Sequence, residues 1–173
     1  YKDHIYSIKY RKKCLVLDLD NTLWGGIIGE DGLNGIALGD DYPGNIYVEI
    51  QRKIKQFANQ GVILALNSKN NEKDAKEVFD KHESCFLKWD DFAATRVNWN
   101  PKNQNIEELA DELNIGINSM VFIDDNPAEI QIVKSFLPQV EVVQFSKDPI
   151  TNLELIRKIS WFNSLSITEE DIR

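Results

Sequence analysis

A buried apolar run that ends in two carboxylates constrains this chain more than any other feature. Residues 13 to 19 read Lys-Cys-Leu-Val-Leu-Asp-Leu, so that Asp18 lies near the end of this run and Asp20 directly follows it. A run that is apolar on both alternating faces predicts a strand inside a parallel sheet. Parallel sheets present their ligand-binding groups at the carboxyl ends of the strands. The sequence therefore predicts that Asp18 and Asp20 lie in a crevice at that edge.

The rest of the chain alternates short apolar runs with stretches of helical period. Further strands are predicted at about residues 62–66, 119–123 and 141–145, with a short one near 85–87. Helices are predicted at about residues 46–60, 72–81, 101–113, 127–136 and 149–161. This alternation predicts an α/β fold, a Rossmann-like three-layer parallel sheet with helices on both faces.

Two stretches do not follow this alternation. Glycines interrupt short apolar pairs across residues 24–39, which predicts a small hairpin-like flap over the crevice, without a helix and without a large cap domain. Residues 89–101 are aromatic and polar without a period, and they are predicted as a loop.

The length of the chain limits the number of domains. A chain of 173 residues predicts one domain: an entry segment at 1–12, a catalytic domain at 13–161, and the start of a linker to a further domain at 162–173.

The formal net charge of −8 argues against nucleic acid or an anionic membrane as partner. No apolar run is long enough to span a bilayer and no signal-peptide pattern is present, which predicts a cytoplasmic protein.

Polar groups follow two other predicted strands and meet the two aspartates at the same sheet edge. Carboxylates crowded together disfavour one another's ionisation, and Mg²⁺ relieves this because it prefers oxygen ligands and shares its coordination shell with phosphate. The sequence therefore predicts a Mg²⁺-dependent phosphoryl-transfer site. Its candidate residues are Asp18 and Asp20, Ser68 and Lys69, Asp124 and Asp125, with Lys102 on the helix between.

Each of these residues alone has an ordinary structural explanation. Two aspartates at a strand end are common turn formers or helix caps, and Ser68 alone is a loop serine. Asp125-Asn126-Pro127 alone is a good helix start, with proline in the first turn. The functional interpretation rests on the joint arrangement, because chance rarely places all of these groups at equivalent strand ends.

The same residues, in order, resemble the four signature motifs of the haloacid dehalogenase (HAD) superfamily over about residues 13–145. More narrowly, residues 17–26, 29–32, 68–70, 90–94 and 122–129 resemble the FkbH-like family. The resemblance implies a HAD-like fold and a HAD-type phosphatase or phosphotransferase. Members of that family dephosphorylate 1,3-bisphosphoglycerate and load glyceryl onto an acyl carrier protein for methoxymalonyl-type polyketide extender units.

The resemblance also implies a role for each matched residue. Asp18 would be the nucleophile, Asp20 the general acid/base, and Lys102 a cation that spreads the charge of the transferring phosphoryl group. The implied Mg²⁺ ligands are Asp18, Asp20 through its carbonyl, Asp124 and Asp125. The implied phosphate contacts are Asn21, Thr22, Asn67, Ser68 and Lys69.

Asn67 departs from the family pattern. Many FkbH-like members carry a cysteine just before the second-motif serine, so acyl transfer through that position lacks its thiol here. Two alternatives stay open: a simple HAD phosphatase acting on a small phosphorylated metabolite, and a catalytically inactive module that docks a carrier protein. A receiver domain has the acidic pair and the phosphorylated aspartate in the opposite order. A calcium loop of the EF-hand type needs glycine where Leu23 stands.

Overall fold

The structure is a computed structural model that describes residues 12–162. One parallel sheet forms its centre, with the strand order β3-β2-β1-β4-β5. The strands are β1 (Cys14–Leu17), β2 (Ile63–Ser68), β3 (Ala94–Val97), β4 (Met120–Asp124) and β5 (Glu141–Gln144). The order reverses direction at β1, which lies between β2 and β4. In such sheets a crevice opens at the carboxyl ends of the strands beside this reversal.

Helices cover both faces of this sheet. They are α1 (Ile28–Gly35), α2 (Gly44–Asn59), α3 (Glu72–Lys81), α4 (Lys102–Leu113), α5 (Pro127–Phe136) and α6 (Pro149–Lys158). One core cluster contains residues of α1, α2, α3 and α6, and the other contains residues of α4 and α5. The predicted three-layer α/β fold is confirmed. No helix within residues 12–162 combines the length and the apolar character needed to cross a membrane.

The central strand β1 is buried on both faces, as predicted. Leu15 and Leu17 belong to one core cluster, whereas Cys14 and Val16 belong to the other. Burial of each leucine or valine side chain contributes about 1.5–3 kcal/mol to folding. This double burial fixes β1 in the sheet and so fixes the position at which Asp18 leaves it.

Most helices lie where their periodicity predicts. The helices predicted at 72–81 and 127–136 have these bounds in the structure. Helix α5 begins there because the Asn126 side chain accepts a hydrogen bond from the Ala128 N–H and Pro127 occupies the first turn. Helix α4 starts directly after Pro101 and ends at Leu113, and the capping residue Asn114 adopts a left-handed conformation with φ of 55°.

The prediction of a flap without a helix is wrong. Residues 28–35 form α1, which bends at Gly32 (φ of 71°), and an antiparallel bridge between Gly25 and Ala37 closes its base. Ile28 and Ile36 are buried in the core. The glycine that was expected to prevent a helix instead produces the bend, because glycine adopts positive φ at little cost.

The prediction of a strand at 85–87 is also wrong. The N–H groups of Phe86 and Leu87 donate to Oε1 of the buried Gln51 side chain at 2.9 and 3.0 Å, and not to a neighbouring strand. The edge strand β3 lies instead at Ala94–Val97, within the stretch predicted as a loop. The predicted entry segment and linker lie almost wholly outside the described residues, so the domain division stays a prediction.

Candidate active site

A crevice of about 280 Å³ opens where β1, β2 and β4 end. Eight of the ten site residues named from the sequence line it: Asp18, Asp20, Asn21, Ser68, Lys69, Lys102, Asp124 and Asp125. The aspartates leave β1 or end β4, Ser68 ends β2, and Lys102 begins α4. The strand-end rule therefore brings residues from distant parts of the chain to one place.

Lys102 is a buried cation between two carboxylates. Its side chain is 4% exposed, and its Nζ lies 3.1 Å from Oδ1 of Asp18 and 2.5 Å from Oδ2 of Asp124. Burial lowers the pKa of the Lys102 ammonium, but the Asp18 and Asp124 carboxylates outweigh this effect, so the pKa lies above its usual value. Lys102 therefore carries its charge throughout the physiological pH range.

Three carboxylates converge beside this lysine. Asp18, Asp124 and Asp125 each present an oxygen within 4.8 Å of the others. Oδ1 of Asp124 accepts a hydrogen bond from the Asn126 N–H at 2.9 Å. Burial and the Asp18 carboxylate raise the pKa of Asp124 to about 7 and that of Asp125 to about 8. One ammonium group cannot balance three carboxylates, so the set fits a hard divalent cation that takes oxygen ligands.

Asp20 has different neighbours. Its Oδ1 accepts hydrogen bonds from the Trp24 indole and the Ile28 N–H, both at 2.9 Å, and its Oδ2 accepts from the Asn70 amide at 2.8 Å. Burial raises the pKa of Asp20, and the hydrogen bonds oppose this shift. Asp20 takes part in none of the ion pairs formed within residues 12–162. Neutral donors alone therefore orient its carboxyl group.

A tight turn after Asp20 holds this arrangement in place. Asn21 adopts a left-handed conformation with φ of 57°, and its side-chain oxygen accepts from the Gly26 N–H at 2.9 Å. A Cβ atom at Gly25 would lie 2.8 Å from that of Ala37, so only glycine permits this close approach. The turn thus joins the base of the flap to the end of β1.

Asn67 and Thr22, the two other residues predicted to contact phosphate, do not line the crevice. Both are fully buried. The Asn67 amide donates to the Lys102 carbonyl at 3.0 Å, and its oxygen accepts from the Asn105 amide at 3.1 Å. Successive side chains of a strand point to opposite faces, so Asn67 faces α4 while Ser68 faces the crevice. Asn67 fixes the start of α4, which carries Lys102.

Two residues that contact the predicted site residues were not identified from the sequence. Glu129, which is 8% exposed, pairs with Lys69 through Nζ and Oε1 at 3.1 Å. Asn70 connects Asp20 with the Ser68 hydroxyl, which it contacts at 3.3 Å. Both lie within the stretches compared above with the FkbH-like family, and that signal could have identified them.

Comparisons with known proteins support this fold. A scan against protein-family models and a search of curated proteins found no match. Among solved structures, the N-terminal part of the protein BF1531 from Bacteroides fragilis, which contains a phosphatase domain complexed with Mg, is 41% identical over 95% of this chain with a TM-score of 0.82. This chain covers 43% of that chain, so it spans less than half of its length.

Two more distant structures share the architecture. The HAD family enzyme bt-2542 from Bacteroides thetaiotaomicron, in complex with magnesium and inorganic phosphate, is 14% identical with a TM-score of 0.53 over 77% of this chain and 93% of that one. A predicted HAD-like family hydrolase from Porphyromonas gingivalis is 12% identical with a TM-score of 0.55 over 86% and 99%. The chain has the HAD-like fold. The HAD-like fold expected from the four motifs is thereby confirmed, and the narrower FkbH-like resemblance stays a prediction.

The HAD-like sheet carries a small flap over its crevice. The flap consists of α1 and the turns on either side of it, between the end of β1 and the start of α2. Within residues 12–162 no larger insertion follows any of the strands. The predicted small flap without a large cap domain agrees with this part of the chain.

Proposed function

We propose that this chain is a Mg²⁺-dependent HAD-type phosphatase domain that acts on a small phosphorylated substrate through an aspartyl-phosphate at Asp18. The observation that carries the proposal is the convergence of Asp18, Asp124 and Asp125 beside the buried Lys102. The 41% identity to a B. fragilis protein whose phosphatase domain was crystallised with Mg supports it.

The described side chains suit two successive displacements at phosphorus. In the first, an oxygen of Asp18 attacks, the bond to the leaving-group oxygen breaks, and Asp20 gives that oxygen a proton. In the second, Asp20 takes a proton from water, the water oxygen attacks phosphorus, and the bond to Asp18 breaks with release of phosphate. Asp20 thus returns to its starting state after each turnover.

The other groups stabilise the charge that moves in these steps. Lys102 holds Asp18 in place and lies where negative charge collects, and the Ser68 hydroxyl at the end of β2 can donate to a phosphoryl oxygen. Mg²⁺ held by Asp18, Asp124 and Asp125, together with the implied Asp20 carbonyl, would neutralise charge between the nucleophile and an anionic substrate. These assignments predict that no phosphate is released when magnesium is chelated.

The test is Mg²⁺-dependent release of inorganic phosphate from a panel of small phosphate esters. Asp18→Asn should lower kcat on the order of 10³-fold or more, because a nucleophile is removed. Asp80→Asn is a matched control, since Asp80 is exposed on α3 away from the crevice and its loss should leave kcat unchanged. Full activity in Asp18→Asn would refute the nucleophile assignment. Absence of phosphate release from the unsubstituted protein would contradict the phosphatase proposal and would favour the alternative, a catalytically inactive module that docks a carrier protein.

A narrower form of the proposal follows from the FkbH-like motifs. The domain would load glyceryl from 1,3-bisphosphoglycerate onto an acyl carrier protein, in the biosynthesis of methoxymalonyl-type polyketide extender units. The carrier thiol would attack the acyl carbon, so that a C–S bond forms and the bond to the acyl phosphate oxygen breaks. A phosphatase-type step at Asp18 would remove the other phosphate.

The two cysteines of the chain favour direct transfer to the carrier in that scheme. Cys14 and Cys85 are both buried, and neither lines the crevice. Burial raises the pKa of the Cys14 thiol to about 12 and that of Cys85 to about 11, so neither forms the reactive thiolate near neutral pH. Asn67 occupies the position before Ser68 and supplies no thiol.

Intact-mass spectrometry separates the two forms of the proposal. The protein is incubated with 1,3-bisphosphoglycerate and an acyl carrier protein, and both masses are then measured. A glyceryl adduct on the carrier, with none on this chain, is the expected result of direct transfer. If phosphate is released but neither protein carries a glyceryl adduct, the result favours the simple phosphatase over the glyceryl transferase.

A further inference from the structure

Trp99 is a large aromatic side chain that remains exposed at the crevice. It is 66% exposed, it lies between β3 and α4, and it forms part of the crevice wall. Its indole N–H donates to the Asn71 side-chain oxygen at 3.2 Å, which fixes the ring. An exposed apolar surface that is held in one orientation beside a polar site is typical of a contact surface for a ligand.

Ile27 adds a second apolar group to the same wall from a different element. It directly precedes α1, it is 37% exposed, and it lines the crevice. The Ile27 N–H donates to the Asp31 carboxylate at 2.8 Å, which holds this end of the flap. Trp99 and Ile27 therefore place apolar surface from both the β3–α4 connection and the flap in one crevice.

Both side chains adjoin the groups that orient Asp20. Ile27 precedes Ile28, whose N–H donates to Oδ1 of Asp20. Trp99 donates a hydrogen bond to Asn71, which follows Asn70, and the Asn70 amide donates to Oδ2 of Asp20. In the proposed reaction the leaving-group oxygen must lie within hydrogen-bond reach of the acid that protonates it. The leaving group therefore extends toward Ile27 and Trp99.

The charges of the crevice favour an uncharged apolar surface there. Its wall contains five carboxylates and two ammonium groups. Lys69 is already paired with Glu129, and Lys102 contacts two of the aspartates. A further anionic group beside Ile27 and Trp99 would lack a cation, whereas the flat face of an aromatic or heterocyclic group could stack on the indole.

A neighbouring cavity is the competing position for the leaving group. It measures about 390 Å³, contains Tyr47 and the exposed Lys147, and shares Asn21 and Asp125 with the crevice. Asp20 does not line it. A leaving group placed there would lie on the side of the metal-ligand candidates and would not lie beside the proposed acid.

We propose that Trp99 and Ile27 form a leaving-group subsite that selects phosphate esters with a flat apolar leaving group. This inference rests on the proposed phosphoryl transfer at Asp18. It deepens the simple-phosphatase form of that proposal by naming a substrate class other than 1,3-bisphosphoglycerate. Trp99 is a specificity-determining residue in this scheme, because it contacts the substrate without taking part in bond making or proton transfer.

The test compares phenyl phosphate with glycerol 1-phosphate in the full chain with Mg²⁺. Trp99→Ala should raise KM for phenyl phosphate about fivefold, because a stacked aromatic contact contributes about 1 kcal/mol, and kcat should stay unchanged. KM for glycerol 1-phosphate should change by less than about twofold. Trp99→Phe should restore most of the preference. Phe136→Ala, at a position that is 68% exposed outside the crevice, is the matched control and should change neither substrate.

Binding of phenylphosphonate, measured by calorimetry with Mg²⁺, separates this inference from the proposed reaction. Binding that Trp99→Ala weakens about fivefold would support the subsite even if the unsubstituted protein hydrolyses no ester. Equal effects of Trp99→Ala on both substrates, or no effect on either, would overturn the subsite. A loss of phenyl phosphate preference in Lys147→Ala but not in Trp99→Ala would overturn it in favour of the neighbouring cavity. Circular dichroism confirms that each variant is folded.

Discussion

Asp18 and Asp20 lie two residues apart, yet their surroundings differ in kind. The Lys102 ammonium contacts Asp18 at 3.1 Å, and two further carboxylates converge on Asp18. Asp20 is held by an indole, a backbone N–H and an amide, all of them uncharged donors. A cation beside Asp18 offsets the negative charge that a nucleophile must carry, whereas neutral donors and burial leave Asp20 able to take up a proton. Two identical side chains thereby suit different chemical roles.

The sharpest test of this difference is Asp20→Asn. General acid/base catalysis contributes about 10²–10⁴-fold, so hydrolysis of glycerol 1-phosphate should fall by about that factor. The first step with p-nitrophenyl phosphate should fall much less, because p-nitrophenolate leaves without a proton. A burst of p-nitrophenolate followed by stalled turnover is the expected stopped-flow result. If Asp20→Asn lowers the rate of the first step equally with both substrates, the result contradicts the role of Asp20 as general acid.

Lys102→Met removes the cation that distinguishes the Asp18 side. Breaking a buried ion pair by removing one partner typically costs about 3–5 kcal/mol, so the free energy of unfolding in EDTA should fall by about this amount. Lys55→Met is the control: Lys55 pairs with Asp91 but is 36% exposed, and its loss should cost less than about 1 kcal/mol. Urea denaturation measures both variants. Similar losses in the two would show that the buried lysine is not balancing the carboxylates.

Magnesium should stabilise the Asp124–Asp125 side in a pH-dependent manner. The raised pKa values of about 7 and 8 mean that, without metal, the folded state holds protons that the unfolded state has lost. Stability without metal should therefore fall as the pH rises from the ordinary carboxyl range through these values. Bound cation removes this loss, so Mg²⁺ should raise Tm more at pH 8.5 than at pH 6.

The expected increase in Tm on Mg²⁺ binding follows from the free energy of binding. A ligand at a hundredfold excess over its Kd stabilises by about 2.7 kcal/mol, which corresponds to about 5–10 °C for a domain of this size. Differential scanning fluorimetry at the two pH values measures it, and Asp125→Asn should reduce the pH dependence. A Tm increase that is equal at both pH values would contradict the assigned ligand set.

Asn70→Ala gives the smallest expected effect and tests the Asp20 side. It removes the hydrogen bond that the uncharged Asn70 amide donates to Asp20, together with its longer contact to the Ser68 hydroxyl. A loss of about 1 kcal/mol should lower kcat about five- to tenfold. The same change in an Asp20→Asn background should have little further effect if Asn70 acts only through Asp20. Steady-state kinetics of the four proteins in this cycle provides the measurement, and additive losses would show that Asn70 acts elsewhere.

The part of the site that could be predicted depends only on element type. Asp18, Ser68 and Asp124 each end a strand, and the carboxyl ends of parallel strands meet at one edge whatever the details of packing. Lys102 follows a proline that opens a helix, so its position could also be predicted from the sequence. These inferences needed no knowledge of which side chains face one another.

The part that could not be predicted depends on facing and on tertiary contacts. Asn67 and Ser68 are neighbours at one strand end, and only the structure shows which one faces the crevice. The edge strand β3 buries only Ala94 and Val97, so it has no apolar run to identify it. The helix of the flap forms despite Gly32 because its apolar residues pack on the core, and tertiary packing of this kind overrides local propensity.

The amide pair of Asn67 and Asn105 has a consequence for how the protein responds to its solution. Amides carry no charge at any pH at which the chain is folded. The hydrogen bond that Asn67 donates to the first carbonyl of α4 and the one that it accepts from Asn105 therefore do not respond to acid or to screening by salt. Titration of the aspartates changes the charge around Lys102 but not the point from which its side chain extends. The ammonium group therefore stays anchored while its anionic partners gain and lose protons.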